Sequence, residues 1–212
     1  MIAKLINIVN TDFDNITENL IEAYYIYTDA KDFSDLTCTN CWITGQLKRN
    51  TKYTRTLIYI KGESTDILKN FEEIYINFEN NNANEEDKMT FATLEGDIII
   101  TVVKCLSCEK YHSIIPTFII PYHICSLFII LLSLFLSKSK KFYNEILPKL
   151  KISRQLFYFW NKNFKRFIPK ASTIFSTGNN DPPEILKLIL NDVDNFLKEF
   201  YEQYKSTFFS TK

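Results

Sequence analysis

Two pairs of cysteines constrain this chain more than any other feature of its sequence. Cys38 and Cys41 form one Cys-x-x-Cys pair, and Cys105 and Cys108 form the second. A structural zinc ion takes four soft ligands in a tetrahedron, and each such turn presents two thiolates to one ion. We therefore predict that these four sulfurs hold one structural Zn²⁺. Two unrelated turns, or cysteines with a redox role, are the alternatives that the spacing leaves open.

The two pairs are unusually far apart in the sequence. Sixty-three residues separate Cys41 from Cys105, whereas a compact zinc ribbon has about 15–20 between its pairs. The free energy of loop closure grows only with the logarithm of length, so the longer loop costs about 1 kcal/mol more. Structural zinc contributes about 10–16 kcal/mol in small peptides, which is far larger. The separation thus predicts an insertion that projects from the ribbon.

Charge is distributed unevenly along the chain, although the net charge is zero. Residues 63–97 contain ten acidic side chains and two lysines, and they form the predicted acidic insertion. Residues 137–170 contain ten basic side chains against a single acid, Glu145. Asymmetry of this kind indicates an interaction surface that the sum over the whole chain conceals.

The first residues lack the pattern of a secretory signal. The apolar run at residues 5–9 is short and is soon followed by Asp12 and Asp14, so no hydrophobic signal region forms. We therefore expect a cytoplasmic location, where thiols stay reduced and paired cysteines are more often metal ligands than disulfides.

The basic segment has the periodicity of two helices joined by a short turn, with Ser153 as the N-cap of the second. At 100° per residue, this second helix has an aromatic stripe opposite a polar, basic face, which is the layout of a helix-turn-helix recognition helix. The predicted core stripe consists of Phe157, Trp160, Phe164, Phe167 and Ile168. The predicted DNA-contacting residues are Lys149, Lys151, Ser153, Arg154, Gln155, Tyr158, Lys162, Lys165 and Arg166. An ordinary solvated surface is the alternative, although such a helix usually mixes both signs of charge.

An apolar stretch precedes this basic segment. Residues 113–137 contain no charged side chain and are followed by lysines, which also fits a membrane-spanning helix. Pro116 and Pro121 interrupt the stretch, and residues 122–136 would span only about 22 Å of about 30 Å of hydrocarbon. We therefore predict a buried helix, with Cys125 as a small core residue, and keep membrane insertion as an alternative.

Both histidines of the chain lie close to these features. His112 follows Cys108 by four residues, and four thiolates already saturate a structural zinc site. We therefore predict that His112 donates a hydrogen bond to a ligand or is simply structural. His123 is predicted to be a structural or an exposed histidine.

Together these patterns predict an α+β fold, with a small zinc-ribbon β-unit followed by a helix-turn-helix-like region and a C-terminal helix. Strand patterns are clearest at residues 54–60 and 97–104. The predicted units are an N-terminal strand and helix (1–35), the zinc ribbon with its acidic insertion (36–122), the helical DNA-binding region (123–170), a linker (171–183) and an amphipathic C-terminal helix (184–212).

One stretch of the sequence resembles a known family. Residues 102–122 read Val-Val-Lys-Cys-Leu-Ser-Cys-Glu-Lys-Tyr-His-Ser-Ile-Ile-Pro-Thr-Phe-Ile-Ile-Pro-Tyr. This pattern resembles an uncharacterised family of bacterial, transposon-associated zinc-ribbon proteins in which a helix-turn-helix follows, and the likeness covers roughly residues 36–168. It implies a DNA-binding role in mobile elements and the ligand role for the four cysteines of the two pairs. The insertion is longer, and the helix after Tyr122 more apolar, than that family leads us to expect.

No catalytic constellation is apparent in the sequence. A transposase needs acidic residues that hold two metal ions on an α/β core, whereas the acids here cluster in the insertion and the final helix. A Gly-rich phosphate loop, a Gly-x-Ser-x-Gly turn and a His-Glu-x-x-His helix are all missing. We predict a non-catalytic, zinc-stabilised protein that binds double-stranded DNA, an accessory or truncated relative of transposases, with a transposase or a second copy as further partner. The alternatives are an interaction protein that dimerises through its C-terminal helix and a small membrane protein with a zinc-binding head.

Overall fold

A computed structural model of the chain describes residues 2–5, 20–60, 93–116, 119–178, 180–204, 206 and 208–209. The strands in these residues are β1 (Ile2–Leu5), β2 (Leu47–Ile60), β3 (Thr93–Cys105) and β4 (Tyr111–Ile115). The α-helices are α1 (Leu20–Ala30), α2 (Leu127–Leu136), α3 (Leu147–Lys149), α4 (Arg154–Ile174), α5 (Pro182–Asn191) and α6 (Val193–Tyr204). The shorter helical turns are a 3-10 turn (Phe33–Asp35) before β2 and a π-helical turn (Phe142–Ile146) that leads directly into α3. The fold is α+β, as the sequence predicts.

The described strands form one sheet in the order β1-β4-β3-β2. β2, β3 and β4 are antiparallel neighbours, and the short β1 pairs with β4 in parallel. β2 and β3 are rich in Ile, Val, Thr and Tyr, whose side chains favour the pleated conformation. The predicted strands at residues 54–60 and 97–104 are confirmed. β2 begins earlier than predicted, at Leu47, and β3 extends beyond both of its predicted ends.

The pairing of β2 with β3 explains how two distant cysteine pairs can meet. Its register runs from the Leu47–Cys105 pair to the Ile60–Thr93 pair, so this β2–β3 ladder is roughly 40 Å long. The cysteines lie at one end of the ladder, and residues 61–92 connect the strands at the other end. Pairing of β3 with β2 therefore brings the second cysteine pair back to the end of the sheet at which the first pair lies. Most of the predicted acidic insertion falls in residues 61–92 and lies outside the described residues.

A buried tyrosine ties α1 to the sheet. The hydroxyl of Tyr24 donates to the carbonyl oxygen of Ile114 at 2.8 Å and accepts from the amide of Thr101 at 3.0 Å. Thr101 and Ile114 face each other on β3 and β4, so the hydroxyl satisfies two backbone groups in the sheet. Burial raises the pKa of Tyr24 to about 12, which keeps the hydroxyl protonated and able to donate.

Removing this hydroxyl is expected to destabilise the protein. In Tyr24→Phe, the Thr101 amide and the Ile114 carbonyl lose their partner while they stay buried, which costs about 1–3 kcal/mol. Urea unfolding followed by circular dichroism measures the change. Tyr25→Phe is the matched control, because its hydroxyl accepts from the exposed amide of Ile99, which water can satisfy. Equal stability losses in the two variants would contradict the role of Tyr24.

The most apolar stretch of the chain forms α2, whose ten residues are all buried. Ser126 caps its N-terminus by accepting a hydrogen bond from the Ile129 amide, and the helix packs against β2, α4 and α5. The predicted buried helix is therefore confirmed, and Cys125 lies buried beside it. Within the part of the chain that the structure describes, no helix is both long enough and apolar enough to cross a membrane.

His123 joins the sheet to α4 and is structural. Its Nδ1 accepts a hydrogen bond from the indole Nε1 of Trp160 at 3.2 Å. Its backbone carbonyl accepts from the guanidinium of Arg55, which also donates to the carbonyl of Ile120 at 3.0 Å. Burial, together with the positive charge of Arg55, lowers the pKa of His123 below its ordinary value of 6.5. The folded protein thus holds this imidazole neutral, with Nδ1 free of a proton.

This contact predicts a pH dependence of stability. As the pH falls below about 6.5, the unfolded chain binds a proton at His123 more readily than the folded protein does. The contribution of the neutral imidazole to the free energy of unfolding is therefore complete above that pH and is lost as the pH falls below it. Comparing urea midpoints at pH 7.5 and 5.5 tests this against His123→Gln, which keeps an acceptor for Trp160. Wild type is expected to lose more stability than the variant. Equal losses would show that His123 does not contribute, because both proteins share every other titrating group.

Two helical segments differ from their prediction. α4 continues through Pro169 to Ile174 and so enters the predicted linker, because Ala171 and Ser172 are buried in the core and stabilise the last turns. The single predicted helix at residues 184–212 is two helices, α5 and α6. Asp192 leaves the helical conformation between them and caps α6, accepting the amide of Asn195 at 3.3 Å, as aspartate does readily at an N-cap.

One hydrophobic cluster joins the sheet to the helices and extends from Tyr24 to Phe209. The five residues of the core stripe predicted for α4 are all buried in it. Phe200 of α6 contacts Phe167 of α4 and Phe208, with ring centroids 5.9 and 5.4 Å away. The apolar face of α6 is therefore covered by this chain itself, and the surface on which the dimerisation alternative depends is occupied.

Candidate metal centre and basic surface

The four cysteines of the two pairs come together at one end of the sheet. Their four Sγ atoms all lie within 4.8 Å of one another. Cys38 Sγ is 3.7 Å from Cys108 Sγ, and Cys41 Sγ is 3.7 Å from Cys105 Sγ. All four are free thiols, separated by far more than the roughly 2.05 Å of a disulfide bond. The predicted meeting of the two pairs is confirmed, and the group could bind one metal ion.

The spacing of the sulfurs fits a tetrahedral ion. Four sulfurs at about 2.3 Å from a zinc ion lie about 3.8 Å from one another. The two separations of 3.7 Å match this edge, and each joins a cysteine of the first pair to one of the second. The other separations, at most 4.8 Å, are within about 1 Å of it. The two turns are therefore already interleaved around a common centre.

The two cysteine turns have the same backbone hydrogen bond. The amide of Cys38 donates to the carbonyl of Ile43 at 3.0 Å, and the amide of Cys105 donates to the carbonyl of Lys110 at 2.9 Å. Each bond spans five residues and closes the loop that presents both thiols of a pair. Two turns of one conformation, facing each other, supply four ligands with the near-symmetry that a tetrahedral site requires.

Each turn also contains a residue in the left-handed conformation, directly after its second cysteine. Trp42 has φ 60° and Glu109 has φ 58°, where glycine is the residue usually favoured. The indole of Trp42 is 72% exposed, so little apolar surface is buried to compensate for the strained backbone. A large apolar side chain is thus presented to solvent at the edge of the cysteine cluster.

Hydrogen bonds and neighbouring sulfurs set the protonation of the cluster. The amide of Lys110, aided by the side chain of Asn40, lowers the pKa of Cys108 to about 6. The amide of Ile43 favours the thiolate of Cys41, but burial and the other three sulfurs outweigh it and raise the pKa of Cys41 to about 12. One thiolate therefore makes the next harder to form. A bound cation relieves this repulsion, which is why such a set of sulfurs has high affinity for metals.

His112 supports the cluster from β4. Its imidazole is fully buried, with Nε2 3.2 Å from Cys38 Sγ and Nδ1 3.5 Å from Thr39 Oγ1. The amide of Asn40 donates to the same sulfur at 3.4 Å. Donors to a ligating sulfur fix its orientation and offset its charge. His112 thus lies beside a cysteine of the cluster, as the first of its two predicted roles requires.

The turn between α3 and α4 is closed on both sides. The amides of Lys151 and Ile152 donate to the carbonyls of Pro148 and Leu147 at 3.0 and 3.2 Å, and Lys151 has φ 56°. This pair of bonds, with a left-handed residue, is the Schellman ending of a helix. Ser153 then caps α4 by accepting an amide hydrogen bond at 3.2 Å, which confirms the predicted N-cap. The angle between the two helical segments is therefore fixed by hydrogen bonds.

All nine residues predicted to contact DNA are exposed. Seven of them belong to α4 or its cap, Lys149 ends α3 and Lys151 lies in the turn. Among the described residues, no ion pair is made by Lys162, Lys165 or Arg166. Their charges are consequently not neutralised by carboxylates of the described residues. All three side chains lie on α4, whose opposite face is buried in the core.

Sequence reasoning missed one aromatic residue of this surface. Tyr143 lies in the π-helical turn before α3, with its ring centroid 6.3 Å from that of Tyr158. The guanidinium of Arg154 lies 5.6 Å from the Tyr143 ring centroid. Tyr143 is an aromatic residue of the same acid-poor segment, and this was the only indication of its role in the sequence. Helical periodicity within α4 does not extend to Tyr143 and therefore could not predict its contact with Tyr158.

No protein-family model, curated protein or solved structure matches this chain. The likeness of residues 102–122 to transposon-associated zinc-ribbon proteins therefore stays a prediction. Two features of the structure itself are therefore the basis for a functional assignment. One is the cluster of four sulfurs from two similar turns at one end of the sheet, and the other is the exposed basic face of α4.

Proposed function

We propose that this chain is a metal-stabilised, non-catalytic protein that binds double-stranded DNA. One zinc ion closes a zinc ribbon at the cysteine end of the sheet. The π-helical turn together with α3 acts as the first segment of a helix-turn-helix, and the exposed face of α4, its second helix, contacts the duplex. A role beside a transposase in a mobile element is the finer form of this proposal, and it rests on the resemblance of residues 102–122.

The exposed basic face of α4 is the observation that carries the proposal. The aromatic residues on the opposite side of the helix are buried, so this face cannot turn inward. Lys162, Lys165 and Arg166 have no carboxylate partner among the described residues. A row of basic side chains on one helix, in a segment nearly free of acids, is the electrostatic signature of a surface that contacts phosphates.

Zinc is the metal that suits the cysteine cluster best. A closed set of four thiols, supported by amide donors and a histidine, leaves no open position for a substrate, which indicates a structural role. Tetrahedral four-sulfur sites bind zinc or iron. Metal analysis of purified protein is expected to find about one zinc per chain. One iron per chain, with the visible absorption of an iron–thiolate centre, would contradict the zinc assignment.

Salt dependence of DNA binding tests the function. Fluorescence anisotropy of a labelled 20-base-pair blunt duplex is measured over a range of KCl concentrations. With four to six phosphate contacts, the slope of log affinity against log salt concentration is expected to be about −4 to −5. A slope near zero, or no binding at low salt, would overturn the proposal.

Protein binding by the cysteine turns is a second candidate function. Trp42, Ile43 and Leu106 are large apolar residues exposed around the cluster, and apolar side chains on rigid turns are typical of interfaces. Sedimentation of the full chain tests self-association, which Trp42→Ser should weaken if the turns form the interface. A monomer at all concentrations, together with salt-dependent DNA binding, would favour the first function.

A further inference from the structure

Three side chains form an aromatic–cationic cluster on the exposed basic surface. Tyr143 and Tyr158 lie with ring centroids 6.3 Å apart and ring planes inclined by 31°. The guanidinium of Arg154 lies over the ring of Tyr143, 5.6 Å from its centroid. Tyr158 is 59% exposed, so much of its side chain is accessible to a ligand from solvent.

The core holds this cluster in place. Phe142 and Phe157 are buried beneath it, with ring centroids 4.6 Å apart. Tyr143 packs edge-on against Phe157 at 6.1 Å, and Tyr158 follows Phe157 directly in α4. A tyrosine has few rotatable bonds, and packing against a neighbouring ring restricts those of Tyr158 further. A ligand that stacks on it therefore loses little additional side-chain entropy.

The surroundings of Tyr158 suit a flat, anionic ligand. Lys162 lies one helical turn further along the same face, and Arg154 lies one turn before it. Aromatic rings interleaved with basic side chains are characteristic of surfaces that bind single-stranded nucleic acid, since the rings stack on bases while the cations meet phosphates. In an intact duplex the base faces are covered by their neighbours, and a groove exposes only base edges. Away from its ends, a duplex consequently leaves the Tyr158 ring without a stacking partner.

We propose that Tyr158, supported by Tyr143 and Arg154, stacks on an unpaired base, so that the preferred ligand is DNA with a single-stranded extension beside a duplex. This inference rests on the proposed function, because the lysines around the cluster are those assigned to the duplex. It adds a second component of recognition, which responds to unpaired bases beside a duplex and depends on an aromatic ring rather than on charge.

The test compares a blunt duplex with the same duplex carrying a five-nucleotide single-stranded extension, by fluorescence anisotropy at one salt concentration. Stacking of one base on an aromatic ring is expected to strengthen binding of the extended DNA to wild type about tenfold, which corresponds to about 1.4 kcal/mol. Tyr158→Leu should abolish this gain and bind both DNAs equally, whereas Tyr158→Phe should keep it. A 2-aminopurine at the first unpaired position should change fluorescence on binding wild type but not Tyr158→Leu.

Phe159→Leu is the matched control, because Phe159 is also an exposed aromatic of α4 but faces His123, with ring centroids 6.0 Å apart. This variant should retain the gain from the extension. Equal binding of both DNAs by wild type, or a gain that survives in Tyr158→Leu, would overturn the inference while leaving salt-dependent duplex binding intact. Binding of neither DNA would overturn both proposals, and binding of the extended DNA alone would overturn only the duplex function.

Discussion

Replacing Cys105 and Cys108 together with serine is expected to eliminate bound metal and to lower the melting temperature by roughly 10–20 °C. Structural zinc contributes about 10–16 kcal/mol in small peptides. Here a large helical core persists without the metal, so we expect about 5 kcal/mol to be lost, which corresponds to that shift for a chain of this size. Metal content and thermal unfolding by circular dichroism measure the two effects in the same preparation.

The fifth cysteine provides the control for this experiment. Cys125 is buried in the core and is not part of the cluster, so Cys125→Ala should retain about one metal ion per chain. Treating wild type with a strong chelator should reproduce the melting temperature of the double serine variant. A double variant that unfolds within about 2 °C of wild type would show that the cluster contributes nothing to stability.

Replacing Lys162, Lys165 and Arg166 together with glutamine is expected to weaken duplex binding by one to three orders of magnitude. Each phosphate contact adds about −0.9 to the slope of log affinity against log salt. The variant slope should therefore be less steep than that of wild type by about 2 to 3. Anisotropy titrations with the blunt duplex at several KCl concentrations give both the affinity and the salt slope. Because the three side chains are exposed, the melting temperature of the variant should equal that of wild type.

A charge-matched variant separates this surface from net charge. Lys48, Lys110 and Lys187 are exposed on β2, in the second cysteine turn and on α5. Lys110 contributes only its backbone to that turn, and changing all three side chains to glutamine alters the net charge by the same amount. Its salt slope should stay within about 0.5 of the wild-type value. Equal losses in the two triple variants would mean that DNA responds to overall charge, and α4 would lose its assigned role.

The features that the sequence predicted well depend on short patterns with one physical solution. Two cysteines separated by two residues can face one ion, and the meeting of Cys38 with Cys108 follows once strands pair. Likewise, buried aromatics at helical spacing allow α4 only one orientation, so the burial of Trp160 and Phe164 was predictable. In both cases the deciding interactions are local or are dictated by a single chemical requirement.

The features that the sequence could not provide depend on tertiary contacts. Pro169 indicates a helix end, yet packing of Ala171 keeps α4 helical beyond it. Asp192 reads as an exposed helical residue, but it ends one helix and caps the next. His112 contacts Cys38 because β4 pairs with β3 in one register, and sequence spacing alone left this role undecided between two options.

Backbone strain was equally invisible in the sequence. A left-handed residue after each second cysteine suggests glycine on conformational grounds, but the chain has Trp42 and Glu109 at these positions. The two turns nevertheless share one conformation in spite of their different side chains.

The far end of the β2–β3 ladder has a consequence for how this protein can vary. Ile60 and Thr93 are paired neighbours, with Cα atoms about 5 Å apart, and they lie roughly 40 Å from the sulfurs. A segment that joins two such points has to span only this short gap, at the end of the sheet opposite to the cysteine cluster. The position therefore suits grafting experiments, because the two chain ends that a replacement segment must join already lie side by side.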